Sequence, residues 1–238
     1  MNNLFNRNSA RSIKELVSSQ VLHTAPHHDD IYLGYFPILN DWLKIGSHEI
    51  VYFTSGENGV CDEFINKQNM SLLQIKEAKR RCRESEAQNF WENEGCFSPI
   101  HHLRSSLYSI KDIQEAALDK ESISDFLAIL KENPPCVMTV LLDSSGKGPF
   151  THHKVVQAIA HALSISGQEP LILAYRNVWS SFEIEECDYF FPVTFKQEKE
   201  FLDKFEKYFP SQVSPAFPSS YLTGNSFPEI AMSIFKRN

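Results

Sequence analysis

The chain reads as an α/β domain, a Rossmann-like three-layer α/β/α arrangement around a mostly parallel sheet. Three observations predict it. Short apolar runs at 21–24, 49–54, 136–142 and 171–175 alternate with longer helical stretches. Each of those stretches is long enough to carry a crossover between parallel strands. The chemistry-bearing residues collect where strand patterns give way to helical ones, and open α/β sheets bind ligands at such strand ends. At 238 residues the chain fits one large domain with short appendages. The predicted divisions are an N-terminal arm over 1–18, the main domain over 19–218, and a C-terminal tail over 219–238.

The elements follow in order. The polar arm holds one helix over 12–18, then comes a strand near 19–24 and a helix near 30–44. A second strand over 49–54 ends in the Gly-rich loop Ser55-Gly56-Glu57-Asn58-Gly59. Residues 67–94 form a long helix whose charge run from Lys76 to Glu86 is, for most of its charges, a solvated face. Ile100-His101-His102-Leu103 is a short strand, with the His pair at the surface or in a cap. A helix over 111–132 stops before Pro134-Pro135. The buried strand 136–142 runs into the loop Asp143 to Pro149, and a helix over 152–164 turns Val155, Val156, Ile159 and Leu163 inward. After the strand at 171–175, residues 190–194 read as an edge strand, where Pro192 is tolerated. A helix over 196–209 carries the core stripe Phe201, Phe205 and Tyr208, and from Ser211 onward no periodicity is visible.

Composition excludes some functions. A net charge of −7 argues against nucleic acid as a partner. No apolar run approaches the ~18 residues of a membrane span. The five cysteines form no CxxC pair, and the N-terminus has no h-region, so reduced thiols and a cytoplasmic setting are expected. The expected partner is a small molecule.

The most informative segment is Ala25-Pro26-His27-His28-Asp29-Asp30, which puts two imidazoles and two carboxylates at a strand end. If the turn is helical from His27, then His27 and Asp30 share a face at i, i+3 and Asp29 points elsewhere. A second cluster, Asp143 followed by Thr151-His152-His153, lies at another strand-to-helix junction. A hydrolytic zinc site commonly uses three protein ligands and one open position. His27, Asp30 and one of His152 or His153 fit that count, leaving Asp29 to exchange the proton of a water. The plainer alternative is that these residues cap helices.

On these residues the sequence resembles the LmbE/PIG-L family of zinc-dependent N-deacetylases. The family's His-Pro-Asp-Asp motif stands here as His27-His28-Asp29-Asp30. Thr54-Ser55-Gly56-Glu57 resembles its Thr-x-Gly-Glu loop, and Arg83-Glu84-Ser85-Glu86 its Arg-x-x-Glu helix. The segment Asp143 to His152 resembles its later His-Pro-Asp-His region. The resemblance is closer to LmbE-like domains associated with glucosamine-6-phosphate deaminase, through Tyr175-Arg176-Asn177-Val178-Trp179 and Phe209-Pro210-Ser211-Gln212. It implies one Zn2+ per chain on His27, Asp30 and His152, with other divalent metals also acceptable to that ligand set. It implies Asp29 as the general base. Two departures stand out. His28 replaces Pro, and the upstream His that stabilises the tetrahedral intermediate falls on Phe150.

The expected function is therefore removal of an N-acetyl group from an amino sugar or its phosphate. Arg83 and Arg176 would hold an anionic group, Asn177 and Trp179 would contact the sugar, and His153 would take the place of the missing His. The alternative is a catalytically degenerate domain that binds sugar or metal and regulates a partner in amino-sugar metabolism. A two-metal phosphoesterase would need Asp143 and Glu57 as extra ligands and ranks lower.

Overall fold

The computed structural model describes residues 19–65, 68–105, 120–143, 148–189, 191, 193–214, 216 and 226–235. Five strands, β1 (Gln20–Ala25), β2 (Ser47–Tyr52), β3 (Ile100–His102), β4 (Val137–Leu141) and β5 (Leu171–Tyr175), form one sheet in the order β3-β2-β1-β4-β5. Every pairing is parallel, so the sheet is wholly rather than mostly parallel. Six α-helices follow among the described residues: α1 (Asp30–Trp42), α2 (Leu72–Asn93), α3 (Lys120–Glu132), α4 (Phe150–Ser166), α5 (Phe195–Tyr208) and α6 (Phe227–Phe235).

Alternation along the strands splits the core in two. Val21, Ala25, Ile50, Tyr52, Val137 and Leu141 face the layer built from α1, α2, α5 and α6. Leu22, Val51, Phe53, Met138 and Val140 face α3 and α4. Both faces of a parallel sheet are covered because its crossovers lie on them. From β1 the chain winds outward to β2 and β3, then returns to β4 on the other side of β1. The carboxyl ends of β1 and β4 therefore flank the switch point, where loops diverge and leave a crevice.

Local chemistry explains how α1 leaves β1. Pro37 lies inside α1 and removes one helical hydrogen bond, and Tyr35 takes non-helical φ and ψ of −151° and 22° at the resulting kink. Gly34 sits directly under the Tyr175 ring, where a Cβ would overlap the aromatic carbons. That close approach lets α1 pack down on β5.

Two element readings are corrected. The described residues around 190–194 form no strand; Thr194 instead caps α5 through a reciprocal box with Gln197. The tail is not aperiodic throughout, since α6 places Phe227, Ala231 and Met232 in the core. Its start carries a capping signature, the Ser226 N–H donating to Glu229 Oε2 at 2.8 Å. The helix expected over 111–132 is described from Lys120, and its first part, like the helix over 12–18, lies outside the described residues.

Candidate metal centre

The loop after β1 turns as the spacing predicts. The His27 backbone N–H donates to Asp30 Oδ2 at 2.7 Å, and His27 Nδ1 lies 3.3 Å from the same oxygen. Asp29 is the N-cap of α1, yet its side chain makes no capping bond. Its carboxylate turns away and accepts from Arg83 Nη2 at 2.5 Å. The two adjacent aspartates therefore serve different neighbours, as i, i+3 geometry requires.

His152 enters from the first turn of α4. Its Nδ1 faces Asp143 Oδ2 at 2.6 Å, and its Nε2 lies 3.1 Å from His27 Nδ1 and 3.7 Å from Asp30 Oδ2. A carboxylate can only accept, so the Nδ1 proton goes to Asp143 and Nε2 presents its lone pair inward. Three donor atoms thus form a triangle with edges of 3.1, 3.3 and 3.7 Å. A tetrahedral zinc with bonds of ~2.0–2.1 Å has ligand-to-ligand edges of roughly 3.3–3.4 Å. Lone pairs that face one another repel unless a cation stands among them, so this donor set fits a metal ion. His27, Asp30 and His152 are the one such group of metal-ligating side chains among the described residues.

The electrostatics agree with that geometry. Burial alone would raise the Asp30 carboxyl, but the His152 and His27 imidazoles beside it hold it below the usual carboxylate range. Burial opposes a charge on His152, yet Asp30 and Asp143 outweigh it and raise the imidazole's pKa. The centre therefore favours positive charge, whether proton or metal.

The surrounding residues divide into those that join the centre and those that do not. Asp143 and Asn177 reach it from the ends of β4 and β5: Asn177 Nδ2 donates to Asp30 Oδ1 at 2.7 Å. Asn177 thus meets a carboxylate where a sugar contact was expected. Arg83 is fully buried between Asp29 and Glu86, and Glu86 in turn accepts from the Ser211 N–H at 2.7 Å and its hydroxyl at 2.8 Å. Arg83 is therefore a spacer among carboxylates. Arg176 donates through Nε to the Leu142 carbonyl at 2.9 Å and through Nη1 to the Ser181 carbonyl at 2.5 Å, with the Phe182 ring 4.0 Å away. It braces the loop after β5.

Trp179 packs its ring edge-on to Phe227 with centroids 6.0 Å apart, a core contact. His153 is half-buried and its ring faces Phe150 at 6.5 Å; it contributes no atom to the converging group. Glu57 is buried against Ser55 and Lys76, and Asp143 serves His152, so the two residues weighed as second-metal ligands have protein partners.

Sequence reasoning did not find His102. It is half-buried rather than a surface residue, and its Nδ1 lies 3.1 Å from Nε2 of the fully buried His28. Burial, with Arg83, His102 and His27 nearby, holds the His28 pKa well below the usual imidazole value.

No protein-family model matches the chain, and no curated protein matches it. Solved structures do. A triple mutant of a deacetylase of the teicoplanin biosynthetic pathway aligns at TM-score 0.60 and 13% identity, over 90% of this chain and 88% of that one. N,N′-diacetylchitobiose deacetylase from Pyrococcus horikoshii aligns at TM-score 0.54 and 18% identity, over 86% of this chain and 73% of that one. The 4-carboxy-2-hydroxymuconate hydratase from Pseudomonas putida aligns at TM-score 0.50 and 16% identity, over 92% and 83%. A hydratase beside deacetylases illustrates that one fold carries several chemistries. What these similarities establish is architecture: the chain has the Rossmann-like α/β fold of these enzymes.

Proposed function

We propose that this chain is a zinc-dependent N-deacetylase of LmbE/PIG-L type, with one zinc per chain held by His27, Asp30 and His152. The observation that carries this reading is the triangle of His27 Nδ1, Asp30 Oδ2 and His152 Nε2, whose edges of 3.1, 3.3 and 3.7 Å suit a tetrahedral ion. Zinc bound there supplies a Lewis acid and brings the pKa of water toward neutrality.

The chain's own residues do the rest. Asp143 keeps the His152 proton on Nδ1, so that Nε2 is always the ligating atom. Arg83 holds the Asp29 carboxylate at the mouth of the β1 loop. From there Asp29 takes the proton of the attacking water and returns it to the leaving amine. The name of the chitobiose deacetylase neighbour supports an N-acetylated amino sugar as the substrate class. Arg83 and Arg176 both have carboxylate or carbonyl partners, so a phosphorylated sugar would have to find its cation elsewhere.

The test is amine release from N-acetylglucosamine, its 6-phosphate and N,N′-diacetylchitobiose, before and after EDTA and with zinc restored. Turnover that EDTA abolishes and zinc restores is expected. Turnover that survives complete removal of metal would overturn the proposal. A second reading, a catalytically degenerate sugar- or metal-binding domain that regulates a partner, is favoured by one observation. Phe150 stands where the family's upstream His is expected, and its half-exposed ring offers no proton. Zinc bound at one per chain with no turnover on any of the three substrates would decide for it.

A further inference from the structure

We infer that Asn177 is a positioning residue for the metal ligand Asp30, setting which carboxylate oxygen faces the ion; this rests on the metal site proposed above. Three observations carry it. Asn177 Nδ2 donates to Asp30 Oδ1 at 2.7 Å, while Oδ2 of the same carboxylate faces His27 and His152. Both side chains are buried, Asn177 at 2% and Asp30 at 4% exposure, so water does not compete for the bond. The loop carrying Asn177 is fixed on its own account, because Arg176 ties it to the Leu142 carbonyl at the end of β4 and to the Ser181 carbonyl beyond.

The physical consequence is a division of labour within one carboxylate. An aspartate at a metal can bind through one oxygen or both, and the choice follows from what else the oxygens meet. Asn177 occupies Oδ1, so only Oδ2 is offered to the ion. The arrangement mirrors Asp143 on His152: Asp30, which follows β1, and His152, on α4, are each oriented by a residue beyond β5 or β4. The asparagine amide bears no charge, so it orients Asp30 without changing the net charge of the centre. A second carboxylate there would add a negative charge, and a lysine would compete with the ion. Residues that hold a metal ligand from behind typically change metal affinity by about 10–100-fold when removed.

The test is zinc affinity by competition with a chromophoric chelator, together with the visible spectrum of the cobalt-substituted protein. Both are measured on the wild type, Asn177→Ala and Asn177→Leu. Leucine keeps the branched four-heavy-atom shape of asparagine and removes its donor, so it covers the case in which the truncated variant does not fold. Both variants are expected to weaken zinc binding by about 10–100-fold and to shift the cobalt bands as Asp30 becomes free to bind through both oxygens. Their metal-free forms should still melt cooperatively, which a purely structural role for Asn177 would not combine with a spectral shift. Affinity within twofold of wild type and an unchanged cobalt spectrum would overturn the inference while leaving the metal site intact. Failure of the wild type itself to bind zinc would overturn the underlying reading, and the inference with it.

Discussion

Two of the histidine clusters by β1, one in the core and one at the strand end, differ in one respect. In the core, His23 Nδ1 meets the Tyr35 hydroxyl at 2.8 Å and its Nε2 meets His48 Nδ1 at 3.0 Å. His48 Nε2 goes on to the carbonyls of Trp42 and Ile45, and Tyr35 to Thr139 Oγ1. Each ring nitrogen there has a partner, and no carboxylate is among them. At the strand end, His27 and His152 face each other across a shared aspartate. Burial pushes both His23 and His152 toward the neutral form. For His23 nothing opposes it and His48 adds to it, whereas Asp30 and Asp143 reverse it for His152. Counting histidines does not separate structure from chemistry here. The carboxylates do, because they turn a satisfied hydrogen-bond chain into a seat for a cation.

The largest effects should come from the strand-end cluster. Asp29→Ala is expected to keep its zinc and lose turnover by about 100- to 10,000-fold, the usual worth of a positioned general base. Asp30→Ala is expected to lose the zinc itself, so elemental analysis of the two purified variants separates the roles. If both variants lose metal equally, the division between the adjacent aspartates is wrong.

Next in size is Arg83→Ala. It leaves the buried carboxylates of Asp29 and Glu86 without their shared cation and should cost about 3–5 kcal/mol in urea unfolding. Burial already raises the Glu86 pKa against the opposing pull of Arg83 and Ser211. Removing that charge as well, in the double variant Arg83→Ala/Glu86→Gln, should recover part of the loss.

The core cluster should answer differently. His23→Leu leaves the Tyr35 hydroxyl and His48 Nδ1 with fewer partners and should cost about 1–3 kcal/mol, with zinc affinity unchanged. It should also alter the pH dependence of stability in the metal-free protein. The folded pKa of His23 lies below its unfolded value of 6.5, so the unfolded chain binds more protons as pH falls under about 6.5. His23 therefore contributes stability above that pH that is lost on acidification, and the variant should lose less stability than wild type between pH 7 and 5. An identical slope would remove His23 from the account. The smallest effect is expected from His153→Ala, which contributes no atom to the centre and should leave zinc affinity within about twofold.

The parallel α/β/α layering was legible because each strand is a short apolar run and each crossover a helical one. The approach of His27, Asp30 and one of His152 or His153 was legible because His27 and Asp30 sit at i, i+3 in a turn and the His pair opens a helix after a buried strand. What escaped were pairings between residues far apart in sequence. Ser211 lies 125 residues from Glu86, and Asn177 lies 147 from Asp30, distances over which no periodicity speaks. The arginines illustrate the same limit, since a guanidinium bound to Leu142 and Ser181 reads in sequence like one awaiting a substrate. Two local signals were present and went unread. Thr194 with Gln197 marks the start of α5 rather than a strand, and Ser226 with Glu229 marks α6.

The most direct test of the central claim is zinc titration of the metal-free protein, wild type beside Asp30→Ala and His152→Ala, with stoichiometry and affinity read by calorimetry. The account predicts one tight site in the wild type and its loss in both variants. Wild-type protein that takes up no zinc, or variants that bind it as tightly as wild type, would contradict it.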